Sequence, residues 1–258
     1  MSVKYYDWTA YHANMRGNKV AIIDLDTRNE LTYAQLDQRA ERLAAWLQSQ
    51  GVTKGDRVAL LTPNCPEVFE AEFACAKIGA ICIPLNWRLT VPELEYILND
   101  STPKVLIFDQ TFSEQAAALQ DLCSFAHTLE VAMENAGSSY ELALSGADEK
   151  CEAIECTHDD VAMIMYTSGT TGHPKGAMIT FGMNLYNAIN LGMPAGVSAN
   201  TVQLVILPLF HTGGMNCYAN PVLHAGGQIL LMREFEPGRA LSIIGDANLG
   251  VTHFFGVP

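Results

Sequence analysis

The chain has 258 residues, 49% hydrophobic and 17% charged, with a formal net charge of −13. That composition suits a globular protein with a sizeable buried core and excludes a disordered tail. An acidic balance of this size speaks against a general nucleic-acid or anionic-membrane binder, both of which need basic patches; a small anionic ligand at a locally positive site stays open.

The pattern predicts alternating helices and strands. LTYAQLDQRAERLAAWLQSQG places Leu31, Tyr33, Leu36, Ala40, Leu43 and Leu47 at helical spacing and stops at Gly51. DRVALLT (56–62) reads as a buried strand, and PEVFEAEFACAKIGA as a helix with Pro66 in its first turn. The strand ICIPL follows, then a short helix PELEYILNDSTP and the strand KVLIFD (104–109). Residues 110–157 carry Ala-rich helical character, then GSSYELALSGADEKCEAIEC, an acidic small-residue stretch expected to be a surface connection. Beyond it come a strand at 161–166, a helix at 181–192, a strand at 202–208, a helix near 214–224, a strand at 228–232, a helix near 237–247 and a strand at 251–255. Continuous apolar strands alternating with helices predict an α/β fold with largely parallel, helix-covered sheets. The stop at GVP directly after a strand is expected of an N-terminal portion rather than an edge-strand ending.

Seven cysteines stand at 65, 75, 82, 123, 151, 156 and 217, without a CxxC pair. They are expected to be free thiols in a reducing compartment. The N-terminus lacks the apolar core of a signal peptide, and apolar runs are strand-sized, so a cytoplasmic protein without a transmembrane segment is expected. Asp24, Asp26, Asp159 and Asp160 read as turn or cap carboxylates, and His253 as a packed residue.

One stretch asks for chemistry. YTSGTTGHPKG, Tyr166–Gly176, gathers three Thr, one Ser, three Gly and a Lys directly after an apolar strand. Glycines let a backbone approach a ligand closely, and successive N–H groups can converge on an anion. The hydroxyls of Thr167, Ser168, Thr170 and Thr171 add short donors, and Lys175 adds a point charge suited to phosphate. The order is not GxxxxGK[ST], since Lys175 follows Pro174 and Gly176 stands in the Ser/Thr position; a Walker A loop is excluded. No GxSxG elbow supports a Ser–His–Asp hydrolase.

This loop closely resembles the YTSGTTGxPKG signature of the adenylate-forming (AMP-binding) superfamily. LTYAQL (31–36), CAKIGAICIPLN (75–86), LPLFHTGGM (207–215) and VTHFFGVP (251–258) resemble further family elements in the same order. The resemblance implies the large N-terminal domain of an acyl-CoA synthetase of the fatty-acid–CoA ligase type. Residues 1–157 would form a first sheet region, and residues 158–258 the phosphate loop and the start of an acyl pocket.

The implied reaction joins a carboxylic acid, ATP and coenzyme A through an acyl-adenylate. It implies that Thr167, Ser168, Gly169, Thr170, Thr171, Gly172 and Lys175 hold ATP phosphates, with Thr167 also at Mg2+. His211, Met215 and Gly256 would line the acyl pocket, with Met215 one helical turn from His211 on the same face. His173 holds the variable position and is expected to face solvent.

Peptide-synthetase domains carry FDxS where this chain has Phe210–His211–Thr212, which argues against an amino acid and for a simple carboxylic acid. The LPLFH segment favours fatty or other simple acyl groups over aryl ones. The YGxTE-like element, the ribose-binding Asp and the small C-terminal domain have no counterpart, so a complete catalytic set is not expected within these residues. A stand-alone, non-catalytic nucleotide-binding or interaction module is the competing reading. A homodimer is left open.

Overall fold

The computed structural model describes residues 2–133, 135–167 and 172–257. The chain divides into two compact units. The first comprises the N-terminal residues through Tyr5, Gln38–Thr62 and Glu67–Phe181; the second comprises Tyr6–Asp37, Pro63–Pro66 and Gly182–Pro258.

The first unit is built on a six-stranded sheet. Its strands are β3 (Arg57–Leu61), β4 (Ile81–Pro84), β5 (Val105–Asp109), β6 (His127–Val131), β7 (Val161–Thr167) and β8 (Lys175–Thr180), in the order β6-β5-β3-β4-β7-β8. All neighbours run parallel except β7 and β8, which are antiparallel. β3 to β5 are buried almost throughout, which is why they read as apolar runs. The sheet continues past residue 157, because Met163 of β7 pairs with Cys82 of β4.

Helix α2 (Tyr33–Ser49) buries Tyr33, Leu36, Ala40, Leu43, Ala44 and Leu47, the stripe set by its spacing. Thr32 and Gln35 exchange hydrogen bonds at its start: the Thr32 N–H donates to Oε1 of Gln35 at 2.9 Å, and the Gln35 N–H to Oγ1 of Thr32 at 3.3 Å. This reciprocal pair satisfies backbone donors that the first turn leaves open. α3 (Pro66–Ile78) and α4 (Val91–Ser101) follow β3 and β4. α4 and α5 (Ser113–Leu122) cover one face of the sheet, packing Leu94, Ile97, Leu98 and Leu119 against Ala59, Leu61, Ile83 and Leu106.

The stretch 137–156, expected to be a surface connection, is partly core: Ser139–Gly146 form helix α6. Ahead of it, residues 127–131, within the part read as Ala-rich and helical, form strand β6. Tyr140 of α6 is fully buried, and its hydroxyl donates to Oε2 of Glu70 at 2.8 Å. Glu70 also receives Nε of Arg39 at 2.7 Å, while the Arg39 amino groups grip Glu141 at 2.5 and 3.1 Å. One buried aromatic ring and its ion-pair network pull an otherwise polar segment into the fold; its remainder, 147–156, runs without regular structure.

The second unit holds a five-stranded sheet. Its strands are β1 (Val20–Asp24), β2 (Glu30–Thr32), β9 (Val202–Val205), β10 (Gln228–Leu231) and β11 (His253–Phe254), ordered β11-β9-β10-β1-β2. Only β1 and β2 are antiparallel neighbours. Leu204, Ile206, Leu230 and Met232 pack on Ala240 and Ile243 of α10 (Pro237–Gly245). α1 (Trp8–Arg16) and α7 (Phe181–Ala195) complete the regular elements outside the site, with residue 181 itself in the first unit. Asp24 and Asp160 act as turn carboxylates, accepting from the N–H groups of Asp26 and Thr157, and Asp26 accepts from the N–H of Arg233.

Glu70 is 1% exposed, so Arg39→Ala leaves a buried carboxylate without its cation. The expected outcome is a loss of about 3 kcal/mol of stability, read as a lower urea midpoint at unchanged slope.

Candidate functional site

The YTSGTTGHPKG motif spans the end of β7 and the start of β8, which pair antiparallel. Register sets Thr167 opposite Lys175 and Tyr166 opposite Gly176, so the two stems bracket the loop. Ser168, Gly169, Thr170 and Thr171 lie outside the described residues. Thr167, Gly172 and Lys175 are exposed, and the sequence-predicted helix at 181 follows only after β8. The pattern missed β8 because it is an exposed edge strand without apolar alternation.

Three features fix the stems. A Cβ on Gly176 would lie 2.7 Å from Cγ2 of Ile164 and 3.2 Å from the Tyr166 ring, so only glycine lets β8 pair there. The Tyr166 hydroxyl donates to Oδ2 of Asp100 in α4 at 2.5 Å. Burial, with the Asp100 bond second, pushes the Tyr166 phenol well above its ordinary range, so it stays protonated as donor. His173 is exposed, as expected, yet its ring stacks on Tyr96 of the same helix at 4.9 Å and 20°. Tyr96 and Asp100, one turn apart on α4, thus hold both ends of the loop. Gly172 has φ of +91°.

The second group of predicted residues belongs to the second unit. His211 is exposed and caps a short helix, α8 (Thr212–Gly214), with its Nδ1 accepting from the Gly213 N–H at 3.0 Å. In the neutral ring the proton therefore sits on Nε2 and can be donated outward. A π-turn, Met215–Ala219, and helix α9 (Asn220–Ala225) continue the rod. Gly214 is where the rod meets the preceding chain: a Cβ there would lie 2.2 Å from the Pro208 carbonyl oxygen.

A small open-mouthed cavity, with room for about one water, borders β9 and this rod; its walls include Leu207, Gly213, Gly214, Tyr218 and Phe255. Met215 is fully buried and Gly256 exposed; neither is among the residues lining the cavity. Each turn of a π-helix holds an extra residue, which moves the inward face off α-helical spacing and brings Tyr218 to the cavity. Its ring meets Phe255 at 5.6 Å. His253 is half-buried, with Nδ1 at the Thr252 hydroxyl and Nε2 at the Ala195 carbonyl.

Sequence reasoning missed Asn64. Its amide donates to the carbonyls of Leu207 (3.0 Å) and Met232 (3.2 Å), and its Oδ1 accepts from the Leu209 N–H (2.9 Å). One side chain, 3% exposed, pins the segment that leads into His211. A lone Asn between prolines carries no sequence signal for this, because its partners lie far along the chain. Asn64→Leu removes three bonds and leaves buried backbone groups unmet. The expected result is about 2 kcal/mol lower stability, with faster hydrogen exchange at the Leu209 amide.

Known proteins show the same arrangement. The family model described as AMP-binding enzyme matches residues 9–258. A feruloyl-CoA synthase from Amycolatopsis sp is 39% identical over 251 residues, covering 97% of this chain and 48% of its own length. An indoleacetate–CoA ligase from Aromatoleum aromaticum is 36% identical over 250 residues, covering 95% and 48%. Among solved structures, ATP-bound MatB from Rhodopseudomonas palustris superposes with a TM-score of 0.86 at 29% identity, over 98% of this chain and 49% of that one. The chain thus spans about half the length of the curated relatives it matches. With the family model covering all but the first eight residues and the motif loop standing on the hairpin, the chain belongs to the AMP-binding enzyme family.

Proposed function

We propose that this chain supplies the phosphate-binding and acid-binding parts of an ATP-dependent acid–thiol ligase, an acyl-CoA synthetase. The observation that carries this reading is the family loop held on a hairpin with Lys175 and Thr167 facing each other across its mouth. In the proposed reaction a carboxylate oxygen attacks the α-phosphorus of ATP. The bond to the β-phosphate oxygen breaks, and pyrophosphate leaves. The sulfur of coenzyme A then attacks the acyl carbon and AMP departs. Neither step needs a protein nucleophile; both depend on positioning and charge stabilisation.

In this reading Lys175 meets the charge of the departing phosphates, with Gly172 and the hydroxyl-bearing residues Ser168, Thr170 and Thr171, together with Gly169, completing the cradle. Thr167 offers a single hard oxygen at the exposed end of β7, which fits an Mg2+ held mainly by phosphate oxygens and water. That ion would neutralise phosphate charge; one hydroxyl does not make a protein cage for it. His211 offers an Nε2–H to the substrate carboxylate, and Gly256 and Met215 support the acyl side from outside the cavity wall.

No carboxylate stands at Phe210–Thr212 to capture an amino group, which supports a simple carboxylic acid. The relatives named for feruloyl and indoleacetate substrates bring aryl acids forward beside fatty ones. Seven cysteines, none in a disulfide, support a cytoplasmic setting, and no helix among the described residues is long and apolar enough to cross a membrane.

Because the chain spans about half of each relative, the full reaction is assigned to a protein of the relatives' length. In such a protein, Lys175→Ala is expected to raise the KM for ATP in acid-dependent ATP–pyrophosphate exchange by roughly 10- to 100-fold, the scale of one charge-assisted contact. Unchanged kinetics would remove Lys175 from the site. The 258-residue chain alone is expected to show negligible exchange; a rate comparable to a relative of full length would overturn this division of labour.

A further inference from the structure

The end of the β7–β8 pair that carries the motif stands beyond the rest of its sheet. Cys82 of β4 pairs with Met163, and β4 stops at Pro84. Tyr166 and Thr167 therefore run on past β4, paired only with Gly176 and Lys175. β8 is the edge strand, and its residues Lys175–Met178 are exposed. A two-stranded ribbon of this kind has a fixed register but a soft twist, and it is marginal without further packing.

Helix α4 supplies that packing from a well-anchored base. Leu94, Ile97, Leu98 and Ser101 are buried, and the Thr90 N–H donates to Oε2 of Glu93 at 2.8 Å in a capping box. At the other end, Arg57 of β3 donates from Nε to the Ser101 carbonyl at 2.6 Å and from Nη2 to the Thr102 carbonyl at 2.8 Å. A helix leaves such carbonyls open at its C-terminus. The last turn, which carries Asp100, is thus tied to the sheet by a guanidinium.

Two exposed side chains of α4 reach the ribbon from this base. Asp100 accepts the Tyr166 hydroxyl, next to Thr167. Tyr96 stacks on the His173 ring, two residues before Lys175. The backbone limits where that ring can point. Gly172 takes a φ of +91°, which suits glycine, and Pro174 confines His173 to extended conformations. β8 starts directly after Pro174, so a ring held on α4 fixes where Lys175 stands. The motif leaves position 173 variable, and in this chain it holds an aromatic residue that meets an aromatic partner.

We infer that α4 is a clamp on the nucleotide site: Tyr96 and Asp100 are positioning residues that set Lys175 and Thr167 for ATP, acting through His173 and Tyr166. The inference rests on the proposal that this motif holds ATP phosphates. Tyr96 and Asp100 themselves touch no substrate in this account. Their contribution is pre-organisation: arms held in place before the nucleotide arrives cost less to order when it binds.

The test combines acid-dependent ATP–pyrophosphate exchange in a protein of the relatives' length with hydrogen exchange of β8 in the 258-residue chain. Tyr96→Ala, His173→Ala and Tyr166→Phe are each expected to raise the KM for ATP about threefold to tenfold, while kcat and the KM for the acid stay within about twofold. Tyr96→Phe and His173→Phe keep a ring pair and are expected to match wild type. Tyr96→Ala combined with His173→Ala is expected to cost no more than either alone, since the two rings form one contact. In the 258-residue chain, Tyr96→Ala is expected to speed exchange across 175–180 about threefold or more and to leave β3 and β5 unchanged. If Lys175→Ala raises the KM for ATP but Tyr96→Ala and Tyr166→Phe do not, the clamp is overturned and the phosphate reading stands. If Lys175→Ala has no effect, both fall. An equal rise in the KM for ATP and for the acid marks a general loss of structure and also overturns the positioning role. Unchanged exchange across β8 overturns the clamp even where the longer variants do not fold.

Discussion

The antiparallel return of β8 along β7 is the constraint on which the proposed phosphate site depends. The hairpin ladder fixes both stems of the motif and sets Thr167 against Lys175. The rest of the first unit serves this edge. Five parallel strands buried between helices give β7 a fixed partner in β4, and α4 brings Tyr96 and Asp100 to the two stems. The direction of the sheet reverses only where the loop has to be presented.

The sequence shows most of this framework, for a physical reason. Strands buried on both faces must be apolar throughout, and helices on a sheet must repeat their apolar positions every three or four residues. β3, β4, β5 and α2 therefore stand out. β8 does not, because an exposed edge strand has no such requirement, and α6 does not, because it is drawn inward by a single tyrosine. The loop is legible through its residue types. Asn64, Asp100 and Gln203 are not, since a polar residue acquires its role from burial and from partners that are distant in sequence. Met215 does lie one helical turn from His211, its N–H bonding the His211 carbonyl at 3.1 Å, but it is fully buried, and Tyr218 rather than Met215 lines the cavity.

Two buried amides in the second unit show how the same chemistry serves different ends. Asn64 uses both of its ends on three backbone groups and so acts as a rigid tie between the chain after β9 and the chain after β10. Gln203 instead bonds within its own strand, its Nε2 donating to the Leu204 carbonyl. In a low-dielectric surrounding a fully bonded amide such as that of Asn64 fixes geometry.

The threading of the chain has a consequence for its biosynthesis. β1 and β2 belong to a sheet whose central members come near the opposite end, with Ile22 paired to Ile229. The first unit lies almost wholly between these partners in sequence. At ribosomal elongation of about 5–20 residues per second, β1 leaves the ribosome on the order of ten seconds or more before its partner exists. The β1–β2 hairpin must wait that long with its apolar face uncovered, while the intervening unit can already close. The five-stranded sheet is thus the late-assembling half, its contacts being of high sequence separation. A ribosome that pauses after residue 181 would hold a first unit whose strands are all synthesised and an orphan hairpin in need of a chaperone.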